Sequence, residues 1–398
     1  MASLPRLAVK PARHHPFFAR HPWVHLASLI ESDPGLPVGT VVDLMTHDGT
    51  WIGRGIYNPL SNLRVRLYSW DRDVPLDANF FQQRIEQAIE RRRWLPESQH
   101  PDAALRLVYS EADGISGLIV DRYAETLVVQ VTAGGIEPWL EPMLDVLEQR
   151  LAPARIVLRT DPKLQESEQF TIRSGPIRGD LDVTRPSYYR QNDLLWEVDF
   201  VHGQKTGAYL DQRENHAAAA RYAGGRRVLD VCCHSGGFSL VAAHRGAASV
   251  LGIDSSQTAL ETARRNAAHQ GVQGATFRSG DCFDSLKEMA TAGEQFEMVI
   301  LDPPRLAGAR DKLDAAMRAY YRLNRSALDL LPRGGILVTC SCSGRVSRGD
   351  FLNMLVDVGR RARRDIVVLE QRGAPADHPM RISCPESEYL KCLICEII

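Results

Sequence analysis

Cysteine is missing from the first 231 residues of this chain. All eight cysteines lie beyond residue 230, two of them adjacent at Cys232 and Cys233. A disulfide framework spreads its cysteines so as to close loops, so this crowding argues for free thiols in a reducing cytoplasm. No apolar run approaches the roughly 18 residues that a membrane span needs, and no membrane partner is expected. Met1 to Arg20 has no apolar stretch and carries scattered His, Arg and Lys, which argues against a secretory signal. Net charge is nearly absent as well, −1 at pH 7, and it singles out no partner. Internal repeats and low-complexity segments are also lacking.

What is present is a 398-residue chain, 44% hydrophobic and 24% charged, enough to bury the cores of two or three domains. Residues 1–75 read as a small all-β unit. Thr40–Met45, Trp51–Tyr57 and Leu63–Tyr68 are β-rich, and His47-Asp48-Gly49 is a hairpin signal. Leu63, Val65 and Leu67 alternate with Arg64 and Arg66, which predicts one buried and one cationic face. This region holds eight basic and six acidic residues, Glu31 and Asp33 among the acids, so a mildly basic face could touch phosphate. Residues 76–190 read as an α+β middle domain. It has helices at Asn79–Trp94 and Pro138–Leu151, strands at Leu105–Ser110, Gly117–Asp121, Thr126–Thr132 and Ile156–Arg159, and a turn at Ala112-Asp113-Gly114.

From residue 191 to 398 strands and helices alternate. Strands at Arg227–Val231, Ser249–Ile253, Ala275–Ser279, Glu297–Leu301 and Gly335–Cys340 are separated by helices at Phe238–His244, Ser256–His269, Cys282–Ala292 and Leu313–Leu331. This is the pattern of an α/β, doubly wound parallel sheet, which binds ligands at the carboxyl ends of its strands. Those ends are polar. The first runs Asp230-Val231-Cys232-Cys233-His234-Ser235-Gly236-Gly237, where the glycine pair lets backbone approach a ligand. The second ends in Asp254-Ser255, and Asp254 lies near the spacing at which a carboxylate meets a ribose diol. The third ends in Asp281-Cys282, an acid suited to an adenine amino group, and the fourth in Asp302-Pro303-Pro304-Arg305. Any one of these acids could be a helix N-cap; four together at one edge are harder to assign to capping. A dinucleotide dehydrogenase would carry G-x-G-x-x-G, but Cys232, His234 and Ser235 stand in its place, and Asp-Pro-Pro has no role there. The pattern favours a methyltransferase that uses S-adenosylmethionine.

The segment Gly203-Gln204-Lys205-Thr206-Gly207-Ala208-Tyr209-Leu210-Asp211-Gln212-Arg213 resembles the cofactor-covering segment of the large-subunit ribosomal RNA methyltransferases that modify cytosine C5 in 23S RNA, the methyltransferase I type. Arg20-His21-Pro22-Trp23 and Trp51-Ile52-Gly53-Arg54-Gly55 resemble that family's PUA domain, an RNA-binding β-barrel. Ser110 to Gly117 resembles its middle domain, so the likeness covers nearly the whole chain. The resemblance implies a Rossmann-like class I methyltransferase domain, S-adenosylmethionine as cofactor and 23S ribosomal RNA as partner, and it is compatible with a homodimer. It also places Tyr209, Asp211, Gln212 and Arg213 beside the cofactor, although Asp211 and Arg213 also suit an ion pair at a helix start. The sparse glycine of the first loop is its departure.

Cytosine C5 is too weak a nucleophile to take a methyl group unaided. A thiolate adding to C6 makes C5 reactive, and this chemistry needs a cysteine at the tip of a strand beside the cofactor. The fifth strand offers Cys340 and Cys342. Cys342, in the Ser-Cys-Ser turn, matches the family's nucleophile; Cys340 falls where the family often has an apolar residue and reads as packing. Asp302 would hydrogen-bond N3 and N4 of the base. Arg305 stands where related cytosine enzymes often carry a second cysteine, so a single-cysteine scheme is implied and the base that removes the C5 proton is not identified. Arg305 itself could contact phosphate, stabilise the thiolate, or be a solvated loop residue.

Two other readings compete. A related group methylates guanine N7, which needs no thiol, and Cys342 argues against it. An RNA-binding assembly factor without turnover would not need Asp230, Asp254, Asp302 and Cys342 together. No metal is expected: Cys392 and Cys395 have no partner pair and sit in an apolar terminal strand, and His14, His15 and His21 are not read as ligands.

Overall fold

The computed structural model describes residues 4–30, 35–183, 185–201, 203, 205–306 and 313–398, so Glu31, Asp33 and Gln204 lie outside the described residues. The chain divides into two compact units. The N-terminal unit is 1–189 with 198–208 and 376–387; the C-terminal unit is 190–197 with 209–375 and 388–398.

The N-terminal unit holds two five-stranded sheets. The first orders its strands Arg6–Ala8, Val41–Met45, Trp51–Tyr57, Leu63–Ser69, Trp23–His25. A bridge between Val9 and Leu29 ties the sheet's two ends together, so it curls around a core of Val24, Val42, Leu44, Val65 and Leu67. Gly49, in the left-handed region at φ 88°, closes the hairpin between Val41–Met45 and Trp51–Tyr57. The expected cationic face does not form. Arg64 is buried, with Nη1 donating to Asn58 O, and Arg66 is held by Glu168 at 3.2 Å and Glu111 at 3.6 Å. Both faces of this strand are covered, so its arginines meet protein carboxylates and carbonyls instead of solvent.

The second sheet runs Gly175–Gly179, Arg155–Thr160, Thr126–Val131, Leu118–Tyr123, Ala104–Tyr109. Helices Ala78–Arg92 and Leu140–Leu151 contribute Phe81, Ile85, Met143 and Leu147 to its core. Asp77 caps the first of these helices by accepting from Phe80 N, and Arg91 and Arg92 stand in its last turn, where cations complement the helix dipole. The turn expected at Ala112–Gly114 is one turn of helix, Ser110–Asp113, ended by Gly114 at φ 76°. Residues 376–387 belong to this unit because Arg92, 1% exposed, donates to Asp377 O, while Asp377 Oδ2 accepts from Arg106 N at 2.9 Å.

The C-terminal unit is built on a seven-stranded sheet. Its strands are β1 Arg227–Val231, β2 Ser249–Asp254, β3 Ala275–Ser279, β4 Met298–Leu301, β5 Gly335–Ser341, β6 Ile366–Arg372 and β7 Lys391–Ile397, in spatial order β3-β2-β1-β4-β5-β7-β6. Helices α1 Arg213–Ala220, α2 Gly237–His244, α3 Gln257–Gln270, α4 Cys282–Thr291, α5 Leu313–Leu330 and α6 Arg348–Ala362 cover its faces. The expected doubly wound parallel sheet accounts for β1 to β5 only. β7 inserts antiparallel between β5 and β6, with Cys340 opposite Cys392 and Ser341 opposite Lys391. One face packs Leu229, Val299, Leu337 and Leu393 against Phe351 and Leu323; the other packs Val228, Ile300, Val338 and Ile394 against Phe238 and Ala219. Strands buried on both faces read as continuous apolar runs, which is why β1, β4 and β5 stand out in the sequence. No helix among the described residues is long and apolar enough to cross a membrane.

Candidate functional site at the strand tips

Parallel register carries the tips of β1, β2 and β4 to one edge: Val231 lies opposite Ile253 and Leu301, one residue short of the acids that end β2 and β4. The loop after β1 makes its turn without the glycines that such turns favour. Cys232 and His234 sit in the left-handed region at φ 65° and 49°, and Gly236 follows at φ 88° as the N-cap of α2. Among the described residues no side chain caps α2 at Gly236; its first amide groups lie at the turn, with Ser239 N in reach of the Asp230 carboxylate. Gly237 has no room for a side chain: a Cβ there would lie 2.6 Å from Nε2 of His216. His216 is buried, and burial pushes its pKa down to about 3, so it packs as a neutral ring.

Asp230 is fully buried. Oδ2 accepts from Ser239 Oγ at 2.6 Å, whereas Oδ1 has no hydrogen-bond partner among the described residues. Burial, with a smaller contribution from the Asp254 charge, raises its pKa to about 7. Asp254 is half-buried; one oxygen accepts from His234 N and the other from Ser256 N. Ser255 is exposed, and half-buried Ser235 lies 3.2 Å from Nδ1 of His234. Asp281 is exposed and caps α4 by accepting from Phe283 N and Asp284 N, the capping arrangement that competes with an adenine contact. Cys232 contacts Cys282; that contact and burial raise the Cys232 pKa, with Asp254 and Asp302 also in electrostatic reach.

The segment 203–213 divides between the units. In the N-terminal unit Thr206 Oγ1 donates to Asp121 and lies 3.0 Å from Tyr123 OH. In the C-terminal unit Asp211, Gln212 and Arg213 are all buried, Gln212 Nε2 donates to Asp302 Oδ1 at 2.9 Å, and Tyr389 OH donates to Asp211. The Tyr209 ring meets the His234 ring edge-on at 5.0 Å between centroids. Burial raises the Tyr209 pKa, and Asp211, Asp302, Cys342 and Asp254 add to it in that order, so one phenol is in reach of all four. The structure therefore gathers the expected Asp254, Asp302 and Cys342 from the ends of β2, β4 and β5 around Tyr209, with the His234 ring from the loop after β1 beside it, while Ser255 and Asp281 are exposed.

The two cysteines of β5 part company. Cys340 is wholly buried against the core, and burial holds its thiol well above the ordinary range. Cys342 is only half-buried, past the strand's end, with Sγ 3.9 Å from Pro303 O in the Asp-Pro-Pro turn. Arg305 is exposed. Two neighbours, Tyr320 and Lys391, escaped the sequence reading. Tyr320 OH bonds Ser341 and Ser343 at 3.0 and 3.1 Å, bracketing Cys342. Lys391, 3% exposed, donates to Ser343 O and Tyr389 O, each at 2.6 Å. Burial lowers its pKa to about 8, and Cys342 is the first charge that opposes this. A lone lysine in the apolar run Leu390-Lys391-Cys392-Leu393 was the available signal, since a buried ammonium needs a reason.

In the N-terminal unit His21, Cys384 and Glu386 come within 4.8 Å of one another. Trp23 N donates to His21 Nδ1, which places the ring proton on Nε2 toward Glu386. A metal ligand has the opposite polarity, so the cluster is one of hydrogen bonds.

Comparison with known proteins matches residues 223–371 to a methyltransferase domain and residues 7–70 to a PUA-like domain. Ribosomal RNA large subunit methyltransferase I of Shewanella denitrificans is 36% identical over 395 residues, 98% of this chain and 99% of that one. The protein of the same name from Escherichia coli O9:H4 is 34% identical over 396 residues, 99% of each. Among solved structures, SMU.776 complexed with SAH superposes with a TM-score of 0.85 over 99% of this chain and 100% of that one, at 17% identity. A structure from Streptococcus mutans gives 0.84 with the same coverage and identity. These two likenesses establish the shared fold.

Proposed function

This chain belongs to the ribosomal RNA large subunit methyltransferase I family, and from that premise we propose that it methylates C5 of a cytosine in 23S ribosomal RNA, in the cytoplasm, through a covalent Cys342 adduct. The observation that carries this reading is the position of Cys342: a half-buried thiol at the tip of β5, 3.9 Å from the turn that follows Asp302.

The strand tips suit S-adenosylmethionine. Asp254 at the end of β2 suits a ribose diol, the start of α2, uncapped by any side chain among the described residues, offers amide groups, and Asp230 Oδ1 is a buried acceptor without a partner among those residues. When bound, S-adenosylmethionine supplies a methyl group activated by its positive sulfur. The protein's part is to make C5 able to accept it. The Cys342 thiolate adds to C6, forming an S–C bond and moving the ring's electrons toward C5. C5 takes the methyl group; the C5 proton is then lost, and elimination restores the thiolate and the aromatic ring. Asp302, oriented by Gln212, holds the amidine edge of the base. Lys391 positions the Cys342 turn through Ser343 O and sets a positive charge within electrostatic reach of the thiolate. The target cytosine must leave its stack, because C5 and C6 have to face the thiol.

Cys342→Ala should abolish methylation of 23S RNA while S-adenosylmethionine binding persists, and Cys340→Ala should keep activity. Nucleoside mass spectrometry of RNA treated with each variant reads both the loss and the identity of the modified base. Methylated cytosine from Cys342→Ala would overturn the covalent scheme, and methylated guanine from the wild type would move the chemistry to N7.

A further inference from the structure

Four arginines from three separate segments converge in the N-terminal unit. Arg84 and Arg91 lie two turns apart on the helix Ala78–Arg92, hence on one face of it. Arg381 comes from the segment 376–387, and its guanidinium donates to Glu111 O at 3.1 Å. Arg84 and Arg381 reach the same bare spot: a Cβ on Gly114 would lie 3.4 Å from Arg381 Nη1 and 3.7 Å from the Arg84 guanidinium. Arg20, held in the left-handed region at φ 66°, adds a fourth cation in electrostatic reach of Arg381.

The carboxylates nearby are already engaged. Asp113 accepts from Arg91 and Arg92 through Oδ1 and from Tyr109 N through Oδ2. Glu111 takes Trp23 Nε1, Ser116 Oγ and Arg66. Burial lowers the proton affinity of Arg84, and Arg381 and Arg91 lower it further. Burial acts first on Arg381 too, with Arg20 and Arg91 adding to it. The helix dipole accounts for Arg91 in the last turn, but not for Arg84 in mid-helix or for two arginines delivered by other segments. Gathering like charges costs stability unless a polyanion neutralises them. Beside Arg381, Met380 and Ile382 are 45% and 81% exposed, apolar surface of the kind that packs against sugars and unstacked bases.

We propose that Arg20, Arg84, Arg91 and Arg381 form a binding site for the sugar–phosphate backbone of the RNA substrate, with Met380 and Ile382 against its sugars or bases. The assignment rests on the reading that the substrate is ribosomal RNA. It names the residues that hold that RNA away from the strand tips.

The test uses the full chain and a protein-free 23S RNA transcript, with filter binding across a potassium chloride series. Each phosphate contact contributes about 0.7 on a single strand and about 0.9 on a duplex to the slope of log affinity against log salt. The pair Arg84→Gln/Arg381→Gln should flatten that slope by about 2, while S-adenosylmethionine binding stays unchanged and the thermal midpoint is unchanged or higher, because repulsion is relieved. Arg84→Lys/Arg381→Lys should keep the wild-type slope. A Gln pair with the wild-type slope overturns the site. So does a Lys pair that loses the slope together with thermal stability, since that marks a structural role. Wild-type protein that shows no salt-dependent binding overturns the RNA reading itself.

Discussion

Asp230→Asn should stabilise the C-terminal unit, and the gain should grow with pH. Asp230 is fully buried at the end of β1, with one oxygen unpartnered among the described residues and a pKa raised from 3.8 to about 7. Below pH 3.8 the carboxyl is protonated in folded and unfolded chains alike, and it favours neither. Between 3.8 and 7 the unfolded chain releases the proton while the folded chain keeps it, so stability falls as pH rises. Above 7 the folded protein carries the whole penalty of a buried charge, about 4 kcal/mol for a displacement of this size. Asparagine removes that penalty and can still accept from Ser239, but its amide group needs partners of its own, a cost of about 1–3 kcal/mol. At pH 4.5 only about 1 kcal/mol of the penalty has developed, so the expected outcome there runs from neutral to a loss of about 2 kcal/mol, against a net gain of about 1–3 kcal/mol at pH 8. Because a chain of two units need not unfold in one step, the measurement is hydrogen exchange of peptides covering Arg227–Val231, for both proteins at each pH. A difference between the two proteins that stays flat from pH 4.5 to 8 would refute the reasoning. A carboxylate that destabilises its own fold fits a group kept for binding, so the same variant should bind S-adenosylmethionine more weakly.

Gly237→Ala should cost about 1–3 kcal/mol and weaken S-adenosylmethionine binding, because the added Cβ overlaps the buried His216 ring; chemical denaturation and calorimetry read the two effects, and His216→Ala in the same chain should recover part of the loss. Lys391→Gln should slow alkylation of Cys342 at pH 7 by about tenfold, followed by mass spectrometry of the peptide, because the ammonium that favours the thiolate is gone. An unchanged alkylation rate would confine Lys391 to its hydrogen bonds with Ser343 and Tyr389.

The strand–helix alternation was legible chiefly because β1, β4 and β5 are apolar runs ending in polar tips, and such a run has few ways to be buried; β3, an edge strand without a fully buried residue, showed only through its place in the alternation. Strand order was not legible in the same way. Nothing in the composition of Lys391–Ile397 says that it slips antiparallel between β5 and β6; that follows from how the chain returns after α6, and β6 is an edge strand that alternates half-buried and exposed residues. The first loop hid its geometry for another reason. Cys232 and His234 adopt the left-handed conformation that glycine would advertise, at a cost the surrounding contacts must cover, such as the Asp254 bond to His234 N. Cys342 could be told from Cys340 because one residue further along a strand that ends at Ser341 is the difference between core and turn.

Charge was the least legible property, and it failed in both directions. Arg64 and Arg66 alternate with apolar residues and look like a cationic face, yet Arg64 is buried against a carbonyl and Arg66 is spent on Glu111 and Glu168, the second of them 102 residues away. Arg20, Arg84, Arg91 and Arg381 look like scattered surface charges, yet folding brings them together, with Arg84 and Arg381 over a single glycine. Counting charges along a chain measures neither outcome, since an ion pair is decided by which carboxylate the fold delivers. If a cationic surface on the N-terminal unit meets RNA, it is the one whose carboxylates are already occupied. Neutralising Arg66 should then cost mainly stability, and neutralising Arg84 with Arg381 mainly RNA affinity.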